Sequence, residues 1–301
     1  MRLCCNDSGI NVSGDMAANE QALKELHAIG FKLCGVYGAE TATDDNIKQL
    51  KDLAAKYEMI IAMSPTGYDV VFPDPDRRKK DQKGLKKTLV NLQKLGVDTM
   101  HVAGSSYNGD HWWQHPKNFT QEGLDELVTE MKKIAPYAED AGVAICPETT
   151  QWCVLNSMER MKEYVDRIDS PCVKVTFDLV NHMRPDRMYS NGRFFRCVTA
   201  TLGDRIGMLH VKDALPVAGL VVHIEEAPMG TGLIDHAAVI SASNDLEPWK
   251  LFSLEHFGER GVPVRDQWER AYKHINGTAK KIGHTWTDPQ MTRVRYMKSR
   301  G

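Results

Sequence analysis

Three carboxylates and one histidine stand at equivalent places in the sequence, each at the end of a short apolar run. They are Glu148, Asp178, His210 and Glu255, separated by 30, 32 and 45 residues. Singly, such residues are more often helix caps or structural hydrogen-bonding groups. Carboxylates brought close together raise one another's pKa unless a cation holds them ionised. A divalent metal ion therefore explains the set, and carboxylate and imidazole donors without thiolate are compatible with Mn²⁺, Mg²⁺, Co²⁺ or Zn²⁺.

The apolar runs before these residues are predicted to be β-strands that alternate with amphipathic helices. Several helical patterns end in a glycine that can take the left-handed cap conformation, as at Gly30, Gly96 and Gly142. The strands are predicted to start near Leu3, Lys32, Met59, Thr99, Val143, Val173, Ile206 and Leu251.

Eight strands alternating with helices predict an α/β fold, a single (β/α)8 TIM barrel. We expect the barrel domain to span residues 1–283 and a basic C-terminal tail to span residues 284–301. A doubly wound sheet is the weaker alternative, because no GxGxxG motif follows the first strand.

In a barrel of this kind, the ends of the strands meet at one mouth, where the loops that follow them build the active site. Three segments after strands are longer than a connection requires: residues 65–82, with the basic run Arg77–Lys80, the aromatic-rich residues 104–120, and the Gly- and Pro-rich residues 216–233. The last of these could close over a substrate as a lid. Period-two alternation places Lys212 on the same strand face as His210, so we expect Lys212 in the mouth as well.

Short motifs surround the four candidate ligands in chain order. They are PE at 147–148, FDLVN at 177–181, HVKD at 210–213, PMGTGLID at 228–235 and SLE at 253–255. Together they resemble the sugar phosphate isomerase/epimerase superfamily, also called xylose isomerase-like TIM barrels, over roughly residues 3–282. The most specific part is HxKD followed by PxGxGxID.

This resemblance implies one divalent metal ion, often Mn²⁺, bound by Glu148, Asp178, His210 and Glu255. It also implies that the two glutamates act as acid and base on a small keto-sugar or polyol-derived ketone. Lys212, which strand alternation places in the mouth, is a further catalytic candidate. One glutamate would remove the proton next to the carbonyl while the metal stabilises the enediolate. Returning that proton on the opposite face, or to the adjacent carbon, gives epimerisation or isomerisation.

The sequence departs from many epimerases of this superfamily at Asn181, where they carry histidine, and His182 follows it. Asparagine can hydrogen-bond a substrate hydroxyl but cannot titrate near neutral pH. The alternative is therefore a lyase or dehydratase that performs β-elimination on a 3-keto-sugar or keto-glycoside, including C-glycoside cleavage, with the same metal and bases.

Substrate contacts are expected from both sides of the mouth. Asn181 and His182 are candidates on one side, and His101, near the end of the fourth strand, could reach the site. Trp112 and Trp113 could stack on a sugar ring, although they could equally anchor their loop or an oligomer contact.

Charge and composition exclude several other classes of protein. The chain has 38 Lys and Arg against 40 Asp and Glu, a net charge of −2, so it lacks the basic excess of nucleic-acid-binding proteins. No apolar run is long enough to cross a membrane, and no signal-peptide pattern opens the sequence, so we expect a cytoplasmic protein. A three-zinc endonuclease of the same architecture and a catalytically inactive accessory barrel are weaker alternatives. Homo- or hetero-oligomers are both compatible with the sequence.

Overall fold

The computed structural model describes residues 1–110 and 113–300. Its strands are β1 Arg2–Cys5, β2 Leu33–Gly35, β3 Ile60–Thr66, β4 Thr99–Val102, β5 Ala144–Pro147, β6 Val175–Asp178, β7 Ile206–Val211, β8 Asp213–Val217, β9 His223–Ala227 and β10 Leu251–Leu254. Its α-helices are α1 Met16–Ile29, α2 Asp44–Lys56, α3 Pro75–Leu95, α4 Gln121–Lys132, α5 Ala135–Ala141, α6 Met158–Ile168, α7 Pro185–Met188, α8 Asn191–Leu202, α9 His236–Ala242, α10 Val264–Lys281 and α11 Arg293–Arg300. None of the helices in this part of the chain is both long and apolar enough to span a bilayer.

Eight of the strands form a parallel sheet in the order β5-β4-β3-β2-β1-β10-β7-β6. The two outer strands meet through isolated parallel bridges from Ile145 to Val173 and from Glu148 to Thr176, which close the sheet into a barrel. The predicted TIM barrel is therefore confirmed. β8 and β9 pair antiparallel and form a separate hairpin, inserted between β7 and α9.

The helices around the barrel follow the predicted pattern of caps and apolar faces. In α1, Asp15 accepts a hydrogen bond from the backbone N–H of Ala17, and Leu23 and Leu26 are buried against the sheet. The helix ends at Gly30, whose φ of 117° strongly favours glycine.

Two predicted segments differ in the structure. The helical pattern through residues 124–138 is divided into α4 and α5, because Pro136 has no N–H to donate to the carbonyl of Lys132. The basic run Arg77–Lys80, predicted to lie in a long loop, belongs to α3, which begins at Pro75 with Asp74 as its cap. Residues 216–233 are likewise not an irregular insertion, since they contain the second half of the β8–β9 hairpin.

The C-terminal segment packs on the end of the barrel opposite the predicted site. The backbone N–H of Thr287 donates to the carbonyl of Met1, and Met291 and Tyr296 pack against a buried cluster that contains Cys146 and Trp249. This segment therefore covers the N-terminal ends of the strands.

A buried ion pair joins the first strand to the fourth at this closed end. Arg2 Nη2 lies 3.0 Å from both carboxylate oxygens of Asp98, and Arg2 Nε donates to the carbonyl of Trp249. The backbone N–H of Arg293 donates to Asp98 Oδ2 at 2.9 Å, so the tail uses the same carboxylate. Removing one member of such a pair leaves the other charge buried and unpaired.

We expect the substitution Asp98→Ala to lower the free energy of unfolding by about 3–5 kcal/mol, because it strands the Arg2 guanidinium in the core. Urea unfolding followed by circular dichroism measures this change. The matched control is Asp52→Ala, which removes an exposed pair with Lys48 and should change stability by less than about 1 kcal/mol. An equal decrease in the free energy of unfolding for the two substitutions would contradict the proposed contribution of the buried pair to stability.

Candidate metal centre

The register of the parallel strands brings the predicted ligands to one level of the barrel mouth. Asp178, the last residue of β6, is paired with His210 on β7, and His210 is paired with Ser253 on β10. Glu255 follows β10, and Glu148 follows β5 directly. Equal strand-end positions on neighbouring parallel strands must lie side by side, which is why a sequence spacing of about one βα unit was informative.

The four side chains form one group. One ligand atom from each of Glu148, Asp178, His210 and Glu255 lies within 4.8 Å of the others. His210 Nδ1 is 2.6 Å from Glu255 Oε2 and 3.3 Å from Glu148 Oε1. These distances are short enough for all four groups to reach a single cation.

Lys212 lies in the same mouth, as its alternation with His210 predicts. It is only 4% exposed, and its Nζ is 2.9 Å from Asp178 Oδ2 and 3.3 Å from Glu255 Oε1. Burial alone would lower the pKa of Lys212, but the surrounding carboxylates, Asp178 first, raise it above its ordinary value. Lys212 therefore keeps its positive charge at neutral pH.

The two glutamates are held in the ionised form. Burial opposes ionisation of Glu148, but hydrogen bonds from His101 and His210 outweigh it and hold the pKa of Glu148 well below its usual range. At Glu255, burial is likewise outweighed by His210, and the pKa of Glu255 is lowered. Both glutamates are therefore proton acceptors at neutral pH.

The pKa of Asp178 shifts in the opposite direction, because the charge of Lys212 does not outweigh the effect of burial. Among the protein groups alone, burial raises the pKa of Asp178 from 3.8 to about 7, against the opposing charge of Lys212. Asp178 Oδ2 and Glu255 Oε1 are buried and accept no hydrogen bond in the described part of the chain, although Lys212 lies within ion-pair distance of both. With His210 in the neutral form that a metal ligand requires, three carboxylates and one ammonium leave two negative charges, which one divalent cation balances. The donor set thus fits such an ion.

Further polar side chains hold the glutamates in place. Asn181 Nδ2 donates to Glu148 Oε1 at 2.8 Å, and His101 Nε2 lies 3.2 Å from Glu148 Oε2. Asn6 Nδ2 donates to Glu255 Oε2 at 3.1 Å. Asn6 was not among the predicted site residues, although it directly follows β1 and so occupies the same kind of strand-end position.

The structure does not bring His182 and Trp113 into this group. His182 is buried, its ring stacks on Phe177, and its Nε2 lies 3.0 Å from Thr149 Oγ1. Burial lowers the pKa of His182 to about 3, so the ring stays neutral. Trp113 is 64% exposed on its loop. Trp112 lies outside the described residues.

The hairpin adds a carboxylate that the sequence analysis placed only in a lid. Glu226 Oε1 lies 3.0 Å from Lys212 Nζ and 2.6 Å from His256 Nδ1. His256 has a positive φ of 61°, and its backbone N–H donates to Asp7 Oδ2 at 2.6 Å. Strand alternation points His256 away from the face of Glu255, so no pattern in the sequence indicated its position; the unusual backbone turn brings it back.

Comparisons with known proteins agree with this architecture. The family model described as "Xylose isomerase-like TIM barrel" matches residues 23–278. The chain belongs to this family. A search of curated proteins finds no match.

Solved structures of this kind superimpose on most of the barrel. A D-psicose 3-epimerase solved in the presence of D-fructose has a TM-score of 0.73 at 17% identity, covering 94% of this chain and 100% of that one. IolI protein with a bound zinc atom has a TM-score of 0.70 at 19% identity, covering 94% and 99%. A xylose isomerase-like TIM barrel protein from Mycobacterium smegmatis, in complex with magnesium, has a TM-score of 0.68 at 12% identity, covering 92% and 97%. At these identities the similarity concerns the fold.

In this xylose isomerase-like barrel, the HxKD and PxGxGxID motifs are parts of one anchor. Asp213 Oδ2 accepts hydrogen bonds from the backbone N–H groups of Gly230 and Gly232, both at 2.9 Å, and Asp213 Oδ1 accepts one from Ile234. A Cβ on Gly232 would collide with the Asp213 carboxylate, so the close approach requires glycine. The anchor fixes the strand end that carries Lys212.

We expect Asp178→Asn to stabilise the barrel at pH 8 in the presence of a chelator, by at least about 1 kcal/mol. The raised pKa of Asp178 means that the folded protein holds this proton more tightly than the unfolded chain does. Wild-type stability should therefore fall as pH rises from about 4 through 7, and the substitution removes that loss. Urea unfolding at pH 5 and pH 8 measures the free energy of unfolding of the wild type and of Asp178→Asn, with Asp52→Asn as the exposed control. A variant less stable than the wild type at pH 8 would contradict this account.

Proposed function

We propose that this chain is a divalent-metal-dependent sugar isomerase or epimerase that acts on a small keto-sugar or polyol-derived ketone. The observation that carries the proposal is the group of three carboxylates and one imidazole at the barrel mouth, in which two glutamates flank the same space. Structural neighbours that are sugar epimerases or hold a zinc or magnesium ion support it. The substrate is therefore expected to be a carbohydrate.

Glu148, Asp178, His210 and Glu255 would hold one divalent ion, for which we propose Mn²⁺, with Mg²⁺, Co²⁺ or Zn²⁺ as chemically compatible alternatives. When bound, the ion would supply a Lewis acid that stabilises negative charge developing on the substrate carbonyl. Nothing in the donor set selects among these metals, since oxygen and imidazole ligands suit each of them.

Proton transfer falls to the two glutamates. Glu148 is ionised and fixed by Asn181 and His101, so one carboxylate oxygen can take the proton from the carbon next to the carbonyl and return it. Glu255, fixed by Asn6 and His210, is the corresponding acceptor from the neighbouring strands. Two such groups in one mouth allow removal and return of a proton at different positions of the substrate.

Lys212 is proposed as the third catalytic residue. Its ammonium is buried between Asp178 and Glu255 and remains charged, so it can donate to an oxygen on which negative charge develops. Asn181 and His101, which touch Glu148, are proposed to meet the substrate as well. Trp112 and Trp113 remain candidate substrate contacts through their loop.

One observation favours β-elimination as the second candidate function. Asn181 uses its amide to donate to Glu148, and an amide cannot deliver a proton to a second carbon. An enzyme that only removes a proton and expels a leaving group, as a lyase on a 3-keto-sugar or keto-glycoside does, needs no such second donor on that side.

We expect purified wild-type protein to contain about one divalent ion per chain, because two uncompensated negative charges are buried in one mouth. Asp178→Ala should lose most of this ion, and Asp52→Ala, an exposed site, should retain it. Inductively coupled plasma mass spectrometry measures the content after growth with added manganese.

Three zinc ions per chain would instead favour a nuclease-like centre. Retention of the ion in Asp178→Ala would remove this aspartate from the proposed ligand set.

We expect the metal-loaded protein to exchange a carbon-bound hydrogen of a ketohexose for deuterium in heavy water. Mass spectrometry of D-fructose, D-psicose and D-tagatose detects the exchange. Glu148→Gln should slow it by at least about a hundredfold, because glutamine cannot take the proton. Equal exchange by the wild type and by Glu148→Gln with equal metal content would contradict the role of Glu148. Loss of a leaving group from a keto-glycoside, without exchange into ketohexoses, would support the second candidate.

A further inference from the structure

A cavity of about 570 Å³ opens beside the metal centre and extends away from it. Lys212 and Glu255 line the end next to the proposed metal ligands, and Glu259 and Arg270 line another part of the wall. Glu148, Asp178 and His210 do not line it. The cavity is therefore continuous with the reaction site but is additional to it.

Its volume exceeds what one hexose needs. A hexose has 12 non-hydrogen atoms, which would occupy about 360 Å³ at most if each took the roughly 30 Å³ of a water molecule in the liquid. Since the reacting end of the substrate must also reach Glu148, which lies outside the cavity, still less of a single hexose would occupy it. The space fits a second group attached to the reacting sugar.

The charges of the walls exclude an anionic group. Among the described residues, five carboxylates line the cavity against the basic side chains of Lys212, His256 and Arg270. All three are already engaged. Lys212 is shared by Asp178, Glu255 and Glu226, His256 pairs with Glu226, and Arg270 pairs closely with Glu259. A phosphate ester would thus meet a surplus of like charge, and none of the described residues that line the cavity offers it an unpaired cation.

The same walls suit a neutral group that carries many hydroxyls. Carboxylates accept hydrogen bonds from hydroxyls, and Glu226 is partly exposed at the cavity, as is His256. Apolar side chains, among them Phe257 and Met229, form another part of the wall and can pack against the C–H face of a sugar ring. This mixture is that of a carbohydrate subsite.

We infer that this cavity is a second subsite, which holds the non-reacting part of a neutral, hydroxyl-rich substrate longer than one hexose, such as a glycosylated ketose. The inference rests on the proposed function, because it assumes that the reacting ketose lies at the metal centre. It assigns the β8–β9 hairpin, through Glu226, together with His256 and Phe257 to selection of the second group.

The test measures binding to the manganese-loaded wild type by isothermal titration calorimetry. The probes are D-fructose, its neutral galactoside lactulose, and D-fructose 6-phosphate. We expect lactulose to bind about tenfold more tightly than D-fructose, and the phosphate ester to bind more weakly than D-fructose. The metal content of each sample is measured in parallel.

Gly258 offers a variant that fills part of the cavity without replacing any of the proposed catalytic groups. It lines the cavity, and an added Cβ meets nothing within 4 Å. Gly258→Trp should abolish the advantage of lactulose and leave D-fructose binding within about twofold. Gly277→Trp, where an added Cβ on α10 also meets nothing within 4 Å, is the control of equal size outside the cavity.

Equal affinity for lactulose and D-fructose, or an unchanged advantage of lactulose in Gly258→Trp, would overturn the subsite. Tighter binding of the phosphate ester would overturn its neutral character. If the protein retains no metal and binds none of the three probes, the proposed function itself fails, and that result is distinct from loss of the lactulose advantage alone.

Discussion

The burial of three carboxylates in one barrel mouth is the constraint on which the rest of the site depends. Glu148, Asp178 and Glu255 come from different strands, and they repel one another because the barrel holds them close together in register. Lys212 offsets one of these charges, and hydrogen bonds from His210 help to keep the glutamates ionised, but burial still raises the pKa of Asp178 to about 7. The remaining imbalance of two negative charges fits a divalent cation, and a cation bound there would acidify the substrate carbon on which the glutamates are proposed to act.

The two ends of the barrel have different roles: one end stabilises the fold, and the other carries the candidate site. At the N-terminal end, Arg2, Asp98 and the docked C-terminal segment form a closed, fully engaged network. At the other end, buried carboxylate oxygens of Asp178 and Glu255 accept no hydrogen bond in the described part of the chain. The Asp213 anchor and the β8–β9 hairpin hold this end of the barrel at the edge of an open cavity. Such a partition follows from the fold, since only the C-terminal ends of the strands carry loops free to build a site.

Much of this was predictable, because strand periodicity and strand-end position translate directly into geometry in a parallel barrel. The four candidate ligands, the inward direction of Lys212 and the eight strands follow from that rule, and Asn6 would have followed if the rule had been applied to the first strand. The position of His256 could not be predicted in this way, because it depends on a backbone turn with positive φ that the residue types in this segment do not indicate. His182 shows the opposite limit: its neighbour Asn181 reaches Glu148, whereas a 3₁₀ turn directs His182 into the packing against Phe177. The cavity depends on how the hairpin and α10 meet, which is a tertiary property.

The most direct test of the metal-centred account is the position of the ion in a crystal of the manganese-loaded protein, found by anomalous scattering at the manganese absorption edge. The account predicts one strong peak within roughly 2.0–2.6 Å of a ligand atom from each of Glu148, Asp178, His210 and Glu255. A protein that binds manganese elsewhere, or a mouth in which Lys212 alone balances the carboxylates after manganese has been supplied, would contradict it.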